Sequence, residues 1–299
     1  METIPYLLHA LSPLHAGTGQ SVSVIDLPIA RLRSTGIPIV PGSSVKGVLR
    51  EARRRRLDTD HEWREIFGPE DDPSRHAGAL VVGDARLFAL PVRSFRGTFA
   101  WVSSPLLLEL ARRDLGSCPG APVGVPDLTA TGARIASLEA RTVHTLRGGR
   151  EVKRILLEDL DLAVASDETV AAWAGFLAPS VEGGEGALAF SERFVVVDDE
   201  TMTFLWETAT QIDARVRLDE RTRTVADGAL WIEESLPPES LLVGLLAAES
   251  GRGAIGLSPL QVLGRALPEA ETLQFGGKAT VGRGRCRITP LGSPVEAQR

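Results

Sequence analysis

Asp26 lies in the run VSVIDLP, a carboxylate among β-branched and apolar residues that follows the glycine-containing HAGTG segment. A carboxylate so placed can hold a metal or help to deprotonate a ribose 2′-hydroxyl. It can equally form an Asx turn ahead of Pro28. His15 offers general acid–base chemistry, a phosphate contact, a stacking surface or a purely structural ring. The segment PGSSVKG, Pro41 to Gly47, brings Ser43, Ser44 and Lys46 to the expected start of a helix. Unpaired backbone N–H groups and the helix dipole favour an anion there, while simple N-capping by either serine explains the same residues. The spacing GxxxxGK[ST] is absent, which disfavours a nucleotide triphosphatase. The segment GGKATVGRG, Gly276 to Gly284, lets backbone approach a ligand while Lys278, Arg283 and Arg285 supply charge, or it is a plain hairpin tip. Glu233 and Glu234 are conceivable second carboxylates, or solvated hairpin residues. No GxSxG elbow is present, and the five histidines and two cysteines have no zinc spacing.

The elements that must position these groups follow from periodicity. Ile4–Ser12 reads as a buried strand and Val24–Arg33 as a second strand pair, with Thr35-Gly36 and Pro41-Gly42 as turns. Val45, Val48, Leu49 and Ala52 fall at i, i+3, i+4, i+7, a helix capped by Ser43 or Ser44 and carrying Arg50. Gly78–Val92 and Gly97–Ser103 read as strands, Pro105–Leu115 as a helix, and Gly116–Thr131 as a loop. Arg150–Glu158 follows as a strand and Asp167–Leu177 as a helix capped by Asp167. Ala209–Glu234 is the clearest hairpin: odd positions from Arg215 to Arg223, including Arg217, carry four arginines on one strand face, and Asp227-Gly228 supplies a turn. Leu257–Leu267 contains a helix, and Leu273–Ile288 two strand pieces split by the glycine loop. This interleaving suits an α+β fold.

Net charge is −6, yet basic residues cluster at Lys46–Arg56, Arg215–Arg223 and Lys278–Arg287. Because salt limits charge effects to about 8–10 Å, such local stripes can bind phosphates on an acidic body. Apolar content of 43% and charged content of 24% describe an ordinary globular chain. No disulfide framework, export signal or apolar run of about 20 residues is visible, so the expected compartment is the cytoplasm, without a membrane partner.

Read together, HAGTGQSVSVIDLPIARLRSTGIPIVPGSSVKGVLR, His15 to Arg50, resembles the N-terminal signature of the RAMP superfamily, and most closely the repeated backbone subunit of type III-B CRISPR (Cmr) effector complexes. The segments Arg217–Pro237 and Phe275–Ile288 resemble that family's hairpin and glycine-rich loop. The resemblance implies one RAMP domain over 1–299, with a ferredoxin-like (RRM-type) palm, a fingers-like insertion near 116–180 and a β-hairpin thumb at 209–236. It implies stacking with other copies and other subunits along a CRISPR RNA, and cleavage of paired target RNA at regular intervals. By motif, Asp26 matches the cleavage carboxylate and the ligand of a divalent metal, Mg²⁺. His15, Ser43, Ser44, Lys46 and Arg50 match guide contacts, and Gly276, Gly277 and Lys278 match the glycine loop. A scaffold subunit of the same superfamily that does not cut is the alternative.

Overall fold

The structure is a computed structural model that describes residues 1–17, 25–54, 56, 60–69, 77–116, 118–148, 150–182, 187–219, 221, 223–251, 255–292 and 295–296. In chain order the elements begin with β1 (Glu2–Ala10), β2 (Ile39–Val40), α1 (Gly42–Arg54) and α2 (Asp60–Phe67). Next come β3 (Leu80–Val82), β4 (Ala85–Arg93), β5 (Phe99–Ser103), α3 (Pro105–Leu115) and β6 (Ala133–Ile135). The middle holds β7 (Val143–Gly148), β8 (Arg150–Leu157), β9 (Leu160–Ser166), α4 (Glu168–Glu182), α5 (Ala187–Ser191), β10 (Phe194–Val197) and α6 (Asp199–Thr208). The last third is β11 (Gln211–Leu218), β12 (Val225–Ser235), β13 (Leu241–Ala248), α7 (Pro259–Ala266), β14 (Glu271–Gln274), β15 (Arg285–Pro290) and β16 (Val295–Glu296).

Among the described residues, fourteen strands form one mostly antiparallel sheet with the path β14-β15-β1-β13-β4-β5-β10-β6-β9-β8-β7. Strands β11 and β12 form a separate two-stranded sheet. Strand β13 runs antiparallel to both β1 and β4, so β1 and β4 run the same way. Segment 133–166 extends the main sheet, because β6 pairs with β10 and with β9.

Both faces of the sheet are covered, which is why β1 reads as a continuous apolar run rather than an alternation. Tyr6 and Leu8 enter one core with Val45 and Leu49 of α1 and Val262 and Leu263 of α7. Leu7 enters a second core with Leu108 of α3 and Trp173 and Leu177 of α4. Each such side chain contributes about 1.5–3 kcal/mol of burial. Helix α3 keeps its expected bounds behind Ser104 and Pro105, and Asp167 caps α4 through the N–H groups of Thr169 and Val170. Helix α7 carries a capping box between Ser258 and Gln261.

Five local expectations are corrected. Over 25–33 there is no extended strand pair, and the chain makes single bridges at Leu27, Ile29 and Arg31. Gly83 and Asp84 break the expected strand 78–92 in two, and Asp84 rather than Ser43 or Ser44 accepts the N–H of Gly42 (2.8 Å) at the start of α1. Strand β11 ends at Leu218 after a register shift, so Arg215 and Arg217 lie on it whereas Arg221 and Arg223 lie in the turn. The turn is closed by Asp219 and Thr224 (2.8 Å), and Asp227-Gly228 lies within β12. Among the described residues no helix is long and apolar enough to cross a membrane, and Cys118 and Cys286 are buried free thiols.

Candidate RNA-cleavage site

The C-terminal end of β1 feeds Leu14 and His15 into the base of the β11–β12 hairpin. Leu14 and Leu236 exchange backbone hydrogen bonds of 2.9 Å. Ala30 donates to Ala16 (2.7 Å), which brings the stretch after Asp26 alongside the His15 segment. Leu27 in turn bridges β12, donating to Ile232 (3.1 Å) and accepting from Glu234 (3.0 Å). Asp26 is therefore held at the hairpin base with its side chain exposed. Its Oδ2 accepts the Ile232 N–H at 2.8 Å, and Oδ1 makes no hydrogen bond to the described residues. One oxygen is anchored and the other faces outward.

His15 is buried, and its Nδ1 lies 2.7 Å from the Glu234 carbonyl oxygen, which fixes Nδ1 as the protonated nitrogen. The glycine loop closes over this histidine. Gly277 donates to the His15 carbonyl (3.0 Å) and Gly284 to Pro13 (2.8 Å). Gly276 sits at φ 67, and a Cβ there would collide with the His15 carbonyl oxygen, so glycine is required on both counts. The loop thereby places Lys278 against β12. Its Nζ is 2.8 Å from Glu233 Oε1 and 6.0 Å from the centroid of the Trp231 ring.

Adjacent acids on a strand point to opposite faces, and each finds its own partners here. Glu233 receives Trp231 Nε1 (2.6 Å) and Lys278, with Arg215 Nε at 3.5 Å and Arg283 at 3.9 Å from its second oxygen. Burial raises the Glu233 carboxyl, but hydrogen bonds from Lys278 and Trp231 and the charges of Lys278 and Arg283 outweigh it, holding the group below the usual carboxylate range. Glu234 accepts from Arg31 (2.5 Å), Thr210 (3.0 Å) and the Ile29 N–H (3.0 Å). Arg283, itself buried, bonds Ser235 and reaches Asp213 at 2.6 Å. The expectation of a solvated pair is overturned, since Glu233 and Glu234 are 2% and 3% exposed. Arg31, Asp213 and Trp231 were not singled out from sequence, and Arg283 was named only as a charge of the glycine-rich segment. The signal available was the EE pair in a strand, which demands a cation on each side.

Arg215 joins this cluster, and Arg217 is exposed further along the hairpin. Ser43, Ser44, Lys46 and Arg50 stand apart on α1. Lys46 Nζ donates to the Leu80 carbonyl (2.8 Å), and burial, then the charge of Arg50, lowers its pKa. The Arg50 guanidinium stacks 4.5 Å from the centre of the Trp63 ring. Ser43 and Ser44 are exposed. A groove of about 440 Å³, lined by Ser44, Gly47, Val48, Glu51 and Ala52 of α1 and by Leu273 and Gln274, connects α1 to the strand leading into the glycine loop.

Among the described residues no three His, Cys, Asp or Glu side chains gather as a cation site. With Glu233 and Glu234 committed to cations, this donor set offers one carboxylate oxygen. That fits a divalent ion whose remaining ligands are RNA oxygens and water.

A family model for the RAMP superfamily matches residues 7–287. The CRISPR system Cmr endoribonuclease Cmr4 of Pyrococcus furiosus is 34% identical over 293 residues, covering 94% of this chain and 93% of that protein. The CRISPR system CMR subunit Cmr4 of Saccharolobus solfataricus is 22% identical over 299 residues, covering 94% of each. Oligomeric Cmr4 from Pyrococcus furiosus superposes with a TM-score of 0.72 at 27% identity, covering 99% of this chain and 100% of that one. A chain of the Type III-B Cmr-beta complex bound to cognate target RNA superposes at 0.73 with 18% identity, covering 97% of each, which speaks for the fold alone. With a family match spanning most of the sequence and a relative at this identity over nearly its whole length, the chain belongs to the RAMP superfamily.

Proposed function

We propose that this chain is a CRISPR RNA-binding backbone subunit of a type III-B effector complex, and that it stacks in a filament and cuts guide-paired target RNA at regular intervals. The observation that carries the cutting half is Asp26: an exposed carboxylate with one oxygen tied to the Ile232 N–H and the other outward, beside buried His15 and the glycine loop. The Pyrococcus furiosus relative, an endoribonuclease by name, supports the same reading. Its partners are the CRISPR RNA, complementary target RNA, further copies of itself and the other subunits. The order β15-β1-β13-β4, with α1 between β1 and β4 and α7 between β13 and β15, supports a ferredoxin-like palm. The β11–β12 hairpin is the thumb, and segment 116–180 a fingers-like extension.

In the reaction, the target's 2′-oxygen attacks the adjacent phosphorus as Asp26 Oδ1 accepts the 2′-hydroxyl proton, and the 5′-oxygen leaves, taking a proton from water, to give a 2′,3′-cyclic phosphate and a 5′-hydroxyl. Buried His15 positions the loop rather than the proton, because its Nδ1 is spent on Glu234 and its ring lies beneath Gly17 and Gly277. Where Asp26 instead holds a divalent cation, Mg²⁺, together with RNA oxygens, that ion would supply neutralisation of phosphate charge, and the 2′-hydroxyl proton would go to water rather than to Oδ1. Guide pairing reads the sequence, so the protein needs backbone contacts and one reactive group.

Asp26→Asn keeps an oxygen for the Ile232 N–H and removes the charge, whereas Asp26→Ala removes both. Both variants are expected to assemble and bind guide while losing at least about 100-fold in target cleavage, the scale of a lost general base. The assay is the reconstituted complex with labelled complementary RNA and Mg²⁺. Wild-type rates in Asp26→Asn would sink the assignment, and a wild-type complex that binds target without cutting would favour the scaffold.

A further inference from the structure

The turn between β4 and β5 presents Phe95 to solvent at 73% exposure. Lone exposed apolar residues are ordinary, but this ring has built surroundings. It packs edge-on against His144 of β7, with ring centres 5.3 Å apart and planes at 80°. Its backbone is fixed on both sides, since Phe95 donates to the Leu156 carbonyl of β8 (3.1 Å) and Ser94 to Thr98 (3.0 Å). Gly97 and Thr98 both sit at positive φ, 75 and 73, and a non-glycine residue there costs on the order of 1 kcal/mol. The turn holds that geometry and keeps the ring outward. Arg96, beside it, is exposed and has neither hydrogen bond nor ion pair among the described residues. The neighbouring Arg93, Arg141 and Arg154 are each paired with an acid.

Strand direction relates this knob to Asp26. Because β1 and β4 run parallel, the C-terminal end of β1, which delivers His15, and the C-terminal end of β4, which delivers Phe95, point toward the same end of the strands. Two strand spacings, roughly 10 Å, separate β1 from β4.

We propose that Phe95, backed by His144 and flanked by Arg96, is a stacking site for an unpaired base of bound RNA, at the end of the strands to which β1 also delivers His15. Every base has a π-face, so such a platform is sequence-tolerant, and an unpaired guanidinium beside it supplies a phosphate contact. Leu146 and Val152, cross-strand partners on the same face as His144, widen the apolar bed. RNA is favoured over a protein partner because the free charge beside the ring is cationic and the site is a narrow aromatic knob. The inference rests on the RNA-binding reading above and adds a contact to it.

The test uses the full chain and a fluorescein-labelled oligouridylate, read by anisotropy. Phe95→Ala is expected to weaken binding by about 5- to 100-fold, the range of one lost stacked base. Phe95→Trp is expected to keep the affinity, and its added indole fluorescence to be quenched as RNA binds. Arg96→Gln should weaken binding and lower the salt slope by about 0.7. Wild-type affinity in Phe95→Ala, with the wild-type chain itself binding, overturns this inference and leaves the proposed function standing. No binding by the wild-type chain overturns the RNA-binding reading and this inference together. Unchanged affinity with reduced self-association in Phe95→Ala assigns the knob to a protein contact and overturns it too.

Discussion

At the scale of single residues, Glu233 decides how firmly the hairpin base is held. Its carboxylate is the common partner of Lys278 from the glycine loop, Trp231 from β12 and Arg215 from β11, so three segments meet on one charge. Its pKa is depressed in the fold, so its stabilisation is fully present above the ordinary carboxylate value of about 4.3 and is lost as pH falls through the depressed one. Glu233→Gln is expected to cost about 1–3 kcal/mol at neutral pH, the scale of leaving a charged partner unsatisfied. In urea melts across pH, the gap between wild type and variant should close below pH about 4. A gap that persists unchanged to pH 2 would show that packing, not charge, carries the effect. Residue chemistry named Asp26, Glu233, Glu234 and Lys278 without ranking them, because rank depends on which carboxylate finds a cation, and only the family resemblance put Asp26 first. Asp26 keeps one oxygen outward only because β12 spends Ile232 on the other, a contact 206 positions away along the chain.

At the scale of elements, α1 and the glycine loop were legible for a physical reason: their signals are local. The i, i+3, i+4, i+7 pattern places Val45 and Leu49 inside, and the glycine spacing reflects backbone close to His15. The cap at the start of α1 was not legible, since Asp84 supplies it from the break between β3 and β4. The four-arginine stripe failed because β11 ends at Leu218, where a register shift gives way to the turn, and alternation alone does not report a strand's length. Gly47 lies within α1 with nothing within 4 Å of an added Cβ, and it lines the groove toward Gln274. Gly47→Ala is therefore expected to raise stability by about 0.5–1 kcal/mol, through helix propensity and a less flexible unfolded chain. If the groove carries RNA, the same variant weakens RNA binding. Opposite signs in the two measurements identify a glycine kept for close approach of a ligand, whereas a gain in stability with unchanged affinity would take RNA out of the groove.

At the scale of the whole molecule, the hairpin of β11 and β12 stands as a two-stranded sheet apart from the main one. One face carries Arg215, Trp231 and Glu233, turned toward the glycine loop. Ile212 and the cross-strand pair Val216 and Leu230 are exposed on the other face, and Leu218 and Val225, paired beyond the register shift, are exposed as well, each 48–63% accessible. Two strands alone gain little stability in water, and a contiguous apolar face of this kind marks an interaction surface. A filament subunit needs head-to-tail contacts that repeat without closing, and a projecting apolar hairpin suits that geometry with a second copy as its occupant. Val216 and Leu230 are cross-strand partners, so Val216→Lys with Leu230→Glu installs a complementary charge pair and preserves the hairpin while removing its apolar centre. The wild-type chain is expected to sediment as a series of species that grows with concentration, and the double variant as a monomer with an unchanged melting temperature. Equal sedimentation of the two would assign stacking to another face, and a fixed closed oligomer in the wild type would remove the filament from the proposed function.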